Sequence, residues 1–410
     1  MNFKINVGAQ TEDEVQAAVE SAFSPDFVFR SPRREGGKEV TDVLVLFDDV
    51  ALIIQAKAQA LELRSEASHG NTDWAAKNLK KAGQQVNGAI RALRAGRMPF
   101  VENSRRGRVP FRVHDYPHLY GLIVLEHESD PYDPMKLVPS LREIQAPVTV
   151  LSFRDFWNLN EFLDTPNDLI NYLEHRPEVL VPTLHPKVHE EAQVFGYFIE
   201  RLEDVMEVQA RFTGRALPDG VNTYARELRR VVNGEHPNKQ AGLVIDHIID
   251  KIHDADPDVT FTDAAGEPVG QEAYFRLVTE LSMIPRSRRI ALGERYQTVV
   301  DRAGASNENS HDATHSPSRG DCIVLLASPF ERSERLKRTK HLMNLTKAAQ
   351  SYFGVSRAIG IATEAGHDHG CSYDVVLLES EPVDDRELKE LGRRLFGDVT
   401  QRLFAAETST

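Results

Sequence analysis

Cysteine is nearly absent. Cys322 and Cys371 are the only two in 410 residues, which excludes a disulfide framework and makes a reducing cytoplasm the expected home. No apolar run approaches the roughly 18–20 residues that cross a bilayer, so no membrane partner is expected. Residues 1–8 also lack the apolar stretch of a secretory signal. Positive charge is in deficit, with 49 Lys and Arg against 62 Asp and Glu, a net of −13. That balance argues against a whole surface that coats nucleic acid, and leaves any phosphate contact to a local basic patch. The remainder, 41% hydrophobic and 27% charged, is ordinary globular composition. At roughly 100–200 residues per domain, the length predicts two to four domains.

Periodicity organises the first part of the chain. Residues 11–23 read as a helix capped by Thr11, with Glu14 at the capping-box position and Val15, Ala18, Val19 and Ala22 at helical spacing. Three β-like runs follow, at 27–29, 40–47 and 50–58, and Asp48-Asp49 makes the last two a hairpin. Residues 71–95 form a long amphipathic helix with Ala76, Leu79, Ala82, Val86, Ile90 and Leu93 on one stripe. Strands at 119–125 and 148–152 and helices at 153–163 and 166–175 complete this unit. Residues 180–300 look mainly helical, especially 189–212 and 239–253. The stretch 301–320 has no apolar side chain larger than alanine and reads as a linker or mobile loop. Beyond it, strands at 322–327 and 374–378 and helices at 334–353 and 385–396 indicate a small α/β unit. The division expected is 1–178, 179–300, 301–320 and 321–410.

Chemistry concentrates in the hairpin. Strand alternation puts Asp42 on one side of its strand, opposite Val43, Val45 and Phe47, and groups Gln55 with Lys57 on the next. A carboxylate, an amide and an ammonium therefore converge at one end of two otherwise apolar strands. Polar groups in such positions cost on the order of 1–3 kcal/mol each unless paired, so three together call for a purpose. A hard cation supplies one, because magnesium takes oxygen ligands and keeps several waters. Asp42 offers a carboxylate, Gln55 a carbonyl oxygen and Ala56 its backbone carbonyl. Lys57 cannot ligate while protonated, but it can orient a water or offset charge growing on a phosphate oxygen.

At these residues the chain resembles the PD-(D/E)xK nuclease superfamily, whose fold is the restriction-endonuclease-like one. In that family an acidic residue on the second strand is followed by an acidic residue or Gln, any residue, then Lys on the third. Asp42 followed by Gln55-Ala56-Lys57 is similar to the Gln-x-Lys variant of Mrr-type restriction endonucleases. The resemblance spans about residues 8–152. It implies an α/β fold: a nuclease-like N-terminal domain (helix, three strands, helix, two strands), then a helical region and the C-terminal α/β unit. It also implies a cytoplasmic, Mg2+-dependent DNA endonuclease, with Mn2+ as a substitute, acting in host defence or DNA processing as a homodimer or in a larger complex. Glu14 matches the first-helix glutamate that often completes the family's metal site, with Glu20 and Glu39 as alternatives. On the long helix, Lys77, Lys80, Lys81, Gln84 and Gln85 match positions where the family often carries Gln or Lys.

Arg91, Arg94, Arg97, Arg105, Arg106, Arg108 and Arg112 lie within 22 residues, opposed only by Glu102, and read as a phosphate-binding edge beside the hairpin or as a solvated loop. Lys77, Lys81, Arg105, Arg106 and Arg108 are accordingly the nucleic-acid contacts expected. His367-Asp368-His369-Gly370-Cys371 has zinc-type donors but lacks a second pair unless His311 and His315 approach, so a polar turn is the expectation. Phe156, Trp157 and Tyr172 fall on helical stripes and read as core. A rival to the nuclease is a catalytically silent nucleic-acid-binding or scaffolding protein that keeps the fold.

Overall fold

The computed structural model describes residues 7–59, 69–126, 144–179, 191, 194–195, 198, 239–253, 259–262, 271–316, 319–330, 332–365, 372–382 and 385–407. The chain divides into two compact units, Met1–His236 and Pro237–Thr410. Among the described residues no helix is long and apolar enough to cross a membrane. The architecture is mixed α/β.

The first unit runs α1 (Val7–Phe23), β1 (Val28–Arg30), β2 (Val43–Phe47), β3 (Val50–Ala58), α2 (His69–Arg94), β4 (Phe100–Asn103), β5 (Gly107–Pro110), β6 (His118–Glu126), β7 (Val148–Ser152), α3 (Phe153–Phe162) and α4 (Pro166–Val179). Its sheet has the order β1-β2-β3-β6-β7. The first three strands are antiparallel neighbours, and β3, β6 and β7 run parallel. Asp48, at a left-handed φ of 51°, closes the β2–β3 turn. The α2 stripe of Leu79, Ala82, Val86, Ile90 and Leu93 buries against Leu44, Leu46, Ile53 and Ile123. The first stripe position is Ala75, since Ala76 is exposed. Gly121 lets this contact close: a Cβ there would sit 2.8 Å from Val86. Helix α1 begins four residues before the expected cap, so Thr11 lies inside it, and its hydroxyl bonds the Glu126 carboxylate at the end of β6.

The second unit contains α5 (Lys239–His253), β8 (Val259–Thr262), α6 (Gln271–Ser282), α7 (Arg286–Ser306), β9 (Ser310–Ser316), β10 (Asp321–Ser328), α8 (Arg335–Phe353), β11 (Arg357–Glu364), β12 (Tyr373–Glu379) and α9 (Arg386–Glu407). Its sheet has the order β8-β12-β11-β10-β9. Two expectations are corrected here. The part of 179–300 from α5 onward is not a separate helical region, because β8 pairs with β12 and α7 packs on β9 and β10. Gly293 sets the α5–α7 approach, since a Cβ there would fall 1.7 Å from the Ala241 carbonyl oxygen. Nor is 301–320 a linker: α7 continues to Ser306, Asn307 caps it at a left-handed φ of 55°, and 310–316 is an edge strand.

Histidines supply the apolar anchor that a linker would lack. On β9, the His311 ring meets Phe396 edge-on at 5.7 Å and the His315 ring stacks on Phe353 at 4.9 Å, while Ala313 is fully buried. Burial lowers the affinity of both rings for a proton. His341 adds to the effect at His311 and Asp312 opposes it; at His315, Asp321 opposes it and Arg288 adds to it. A histidine kept neutral in the fold but free to charge when unfolded favours unfolding under acid. Its stabilisation is complete above about pH 6.5 and is lost as pH falls below that value. Hydrogen exchange on β9 and α9 peptides is therefore expected to accelerate between pH 7.5 and 5.5, after correction for intrinsic rates. Phe replacing both histidines should weaken that dependence to what His341, also kept neutral by burial, contributes; a dependence equal in the variant would place its origin elsewhere.

The interior of this unit also holds charge. Arg338, with no exposed surface, bonds Asp374 at 2.5 Å and Ser372 Oγ at 2.7 Å, with Glu364 at 3.2 Å. Arg335 reaches the other oxygen of Asp374 at 2.6 Å.

Candidate active site

Asp42 immediately precedes β2, and the register Val43↔Ile54 brings it level with Gln55 and Ala56 on β3. The hydrogen-bond ladder explains its position. Past Val43, β3 has no β2 partner, and the Ala56 N–H donates to Asp42 Oδ2 at 2.8 Å. Asp42 is thus a nearly buried carboxylate that stands in for a strand carbonyl.

Gln55, also buried, is oriented by a neighbour that sequence reasoning missed. Its Nε2 donates to Thr41 Oγ1 at 2.9 Å, and that hydroxyl donates to the Ile54 carbonyl at 2.7 Å. With the amide nitrogen so held, Oε1 turns to Lys57. The Lys57 ammonium donates to Ala56 O at 2.7 Å, Gln55 Oε1 at 3.3 Å and Asp42 Oδ2 at 3.4 Å. These are the same three oxygens that the sequence nominates as cation ligands, and here they converge on one cation. The lysine side chain is 15% exposed, so the cluster is partly open to solvent.

Two further carboxyls shape the field. Burial raises the proton affinity of Glu12, and Asp42 and Glu39 raise it further, against Lys57 and Arg30. Burial does the same at Glu39, reinforced by the charge of Asp42 and a hydrogen bond to it. Asp42, Glu12 and Glu39 thus lie in one field with Lys57, which Arg30 and Arg33 also enter.

The glutamate of α1 that senses Asp42 is Glu12. Glu14, nominated from the sequence, accepts a hydrogen bond from Gln10 at 2.9 Å along the exposed side of the helix. Glu20 pairs similarly with Gln16 at 2.6 Å. Helix phase explains this: Thr11 and Glu12 lie four and three residues before Val15 and continue its buried face, which Glu14 does not share. Among the described residues, no group of three or more His, Cys, Asp or Glu side chains is placed to hold a metal ion. The oxygens that accompany Asp42 are uncharged.

Lys77, Lys80, Lys81, Gln84 and Gln85 are all exposed on α2. The arginine-rich segment is a β4–β5 hairpin instead of a loop, and much of it is engaged. Arg108 lies 3.4 Å above the Phe100 ring centroid. Arg106 is partly buried beside Tyr116 and Asp26, and Asp26 is itself raised to about 6 by burial. Asn103 anchors the hairpin by donating to the carbonyls of Pro25, Asp26 and Val28. Val28 pairs with Val45, about three residues or 10 Å along the strand from Asp42. Of the trio expected at phosphate, Arg105 is exposed. Tyr172 and Phe156 are fully buried, whereas Trp157 is 41% exposed and donates to Glu161, a correction to its expected core position. The segment 367–371 lies outside the described residues. No family model, curated protein or solved structure matches the chain.

Proposed function

We propose that the chain is a metal-dependent endonuclease that hydrolyses phosphodiester bonds of DNA, built on a restriction-endonuclease-like first unit. The observation that carries this reading is the convergence of Asp42 Oδ2, Gln55 Oε1 and Ala56 O on a single cationic group. The order of α1, an antiparallel β1-β2-β3, α2 and a parallel β6 supports it as well.

The donor set suits a hard cation, being all oxygen with one carboxylate at its centre. Asp42, Gln55 and Ala56 would hold magnesium or manganese, with Glu12 as the adjoining carboxylate in place of Glu14. Such an ion supplies Lewis-acid charge at a phosphate oxygen. Lys57 contributes a hydrogen-bond donor and a fixed positive charge for the oxyanion that develops as the phosphodiester is attacked. Glu39, whose proton affinity is raised by burial and by Asp42, is the adjacent carboxyl that would accept a proton from the attacking water. Asp42 positions the strand end and Thr41 fixes the amide.

The silent-scaffold reading draws on the single carboxylate among the converging oxygens. Incubating purified protein with supercoiled plasmid in Mg2+, Mn2+ or EDTA separates the two. Nicking or linearisation in metal and none in EDTA is the expected result; intact plasmid in every condition, with DNA binding retained, selects the scaffold.

Gln55→Glu probes the amide. The added charge is expected to lower the metal concentration needed for half-maximal cleavage. It also sets a carboxylate oxygen against Thr41 Oγ1, whose proton is committed to Ile54, at a cost of about 1–3 kcal/mol in stability. Metal titration and thermal melting read the two effects separately. An unchanged melting temperature would show that Thr41 does not orient residue 55.

A further inference from the structure

Between Trp74 and Arg97 the chain carries six basic residues and no acidic one, in a protein of net charge −13. Helix α2 sorts them. Its buried arc holds Leu79, Ala82, Val86, Ile90 and Leu93, and its opposite arc exposes Lys77, Lys80, Lys81, Gln84, Arg91 and Arg94. Arg94 stays exposed while donating twice to Gln145, at 3.1 Å each. The one aromatic on this helix, Trp74, lies a turn before Lys77 and is half-buried, and the exposed Trp157 belongs to α3.

We infer that the outer face of α2 docks the sugar–phosphate backbones of duplex DNA, with its two cationic clusters on opposite strands of one groove. This rests on the nuclease reading for its biological setting but not for its physics. Single-strand binders combine a cationic track with aromatic platforms for stacking bases. Here five exposed cations stand beside a single half-buried aromatic at one end, so the face is built to meet backbone charge more than bases. Spacing also favours a duplex. From Lys81 to Arg91 the exposed positions carry no charge, an interval of ten residues or about 15 Å at 1.5 Å per residue. That is of the order of the roughly 12 Å major groove across which the two backbones of B-form DNA face each other. Gln84, Gln85 and Gly88 would overlie the groove without a fixed base preference. The partner is therefore B-form duplex, bound with little sequence selectivity.

Fluorescence anisotropy on the full chain in EDTA tests this apart from catalysis. The probes are a 20-base-pair DNA duplex, one of its strands alone, and an RNA duplex of the same sequence. Tightest binding to the DNA duplex is expected, with affinity falling steeply as salt rises. Each lost phosphate contact should flatten the slope of log affinity against log salt by about 0.9, so Lys77, Lys80 and Lys81 changed together to Ala should flatten it by up to about 2.7. Arg91 and Arg94 changed to Ala should flatten it by up to about 1.8. These exposed changes leave the buried stripe intact, which circular dichroism checks. Equal or tighter binding of the single strand or RNA duplex, or slopes unchanged in both α2 variants, would overturn the inference. Duplex binding through α2 without plasmid cleavage in metal would instead defeat the nuclease reading and leave this surface standing.

Discussion

Asp42→Asn is expected to lower plasmid cleavage by at least about 10²–10³-fold while the protein still folds, the scale of removing one preorganised electrostatic partner from an active site. Asparagine keeps an oxygen that can accept from the Ala56 N–H, so the strand end retains its bond. What it loses is the charge that balances Lys57 and would bind a cation. Lys57→Met should cost a similar factor for the complementary reason, since it removes the positive donor and keeps most of the stem. The two losses should not add, because both residues act on one charge cluster; the double variant is expected near the weaker single variant. Initial rates of nicking, with melting curves on the same samples, decide the matter. Either single variant cleaving at the wild-type rate, with unchanged metal dependence, would remove the site from this hairpin.

Much of that hairpin is legible in the amino-acid sequence. Its strands are continuous apolar runs, the Asp48-Asp49 turn separates them, and three polar side chains at one end of the pair stand out. Periodicity also locates α2, β6, β7 and α5 to within a few residues. The departures have physical causes. Capping residues dominate the signal for a helix start and point to Thr11, yet Thr11 is used for a tertiary bond to Glu126; the stripe from Val15 to Ala22, continued back one turn, is what brings Glu12 to the site. Residues 301–316 read as linker because histidine counts as polar in any apolar pattern, although His311 and His315 bury their rings as aromatics do. Thr41 carries no signal: its role is to choose which end of an amide faces Lys57, a matter of one hydrogen bond. The β4–β5 hairpin is hidden by its arginines, one of which covers an aromatic ring and not a phosphate.

Arg338 escapes notice for a related reason, lying in the basic run from Arg335 to Lys347 that suggests a solvated helix. Instead it is fully buried against Asp374, which is equally inaccessible, and Glu364. Asp374→Ala is therefore expected to destabilise the second unit by about 3–5 kcal/mol, the cost of stripping one partner from a buried pair. Against a typical total of about 5–15 kcal/mol, that is a large fraction of what holds a domain together. The loss arises from the stranded guanidinium and not from the missing attraction alone. Arg338→Met combined with Asp374→Leu should thus recover much of the deficit, since apolar groups of similar volume need no partner. Denaturant melts give the magnitudes, and hydrogen exchange locates them: α8, β11 and β12 should lose protection while β2 and β3 keep theirs. A single variant that melts within about 1 kcal/mol of wild type would mean that Glu364 alone neutralises Arg338. A double variant no better than Asp374→Ala would mean that Arg335, which also loses Asp374, and Glu364, deprived of Arg338, become the new unpaired charges.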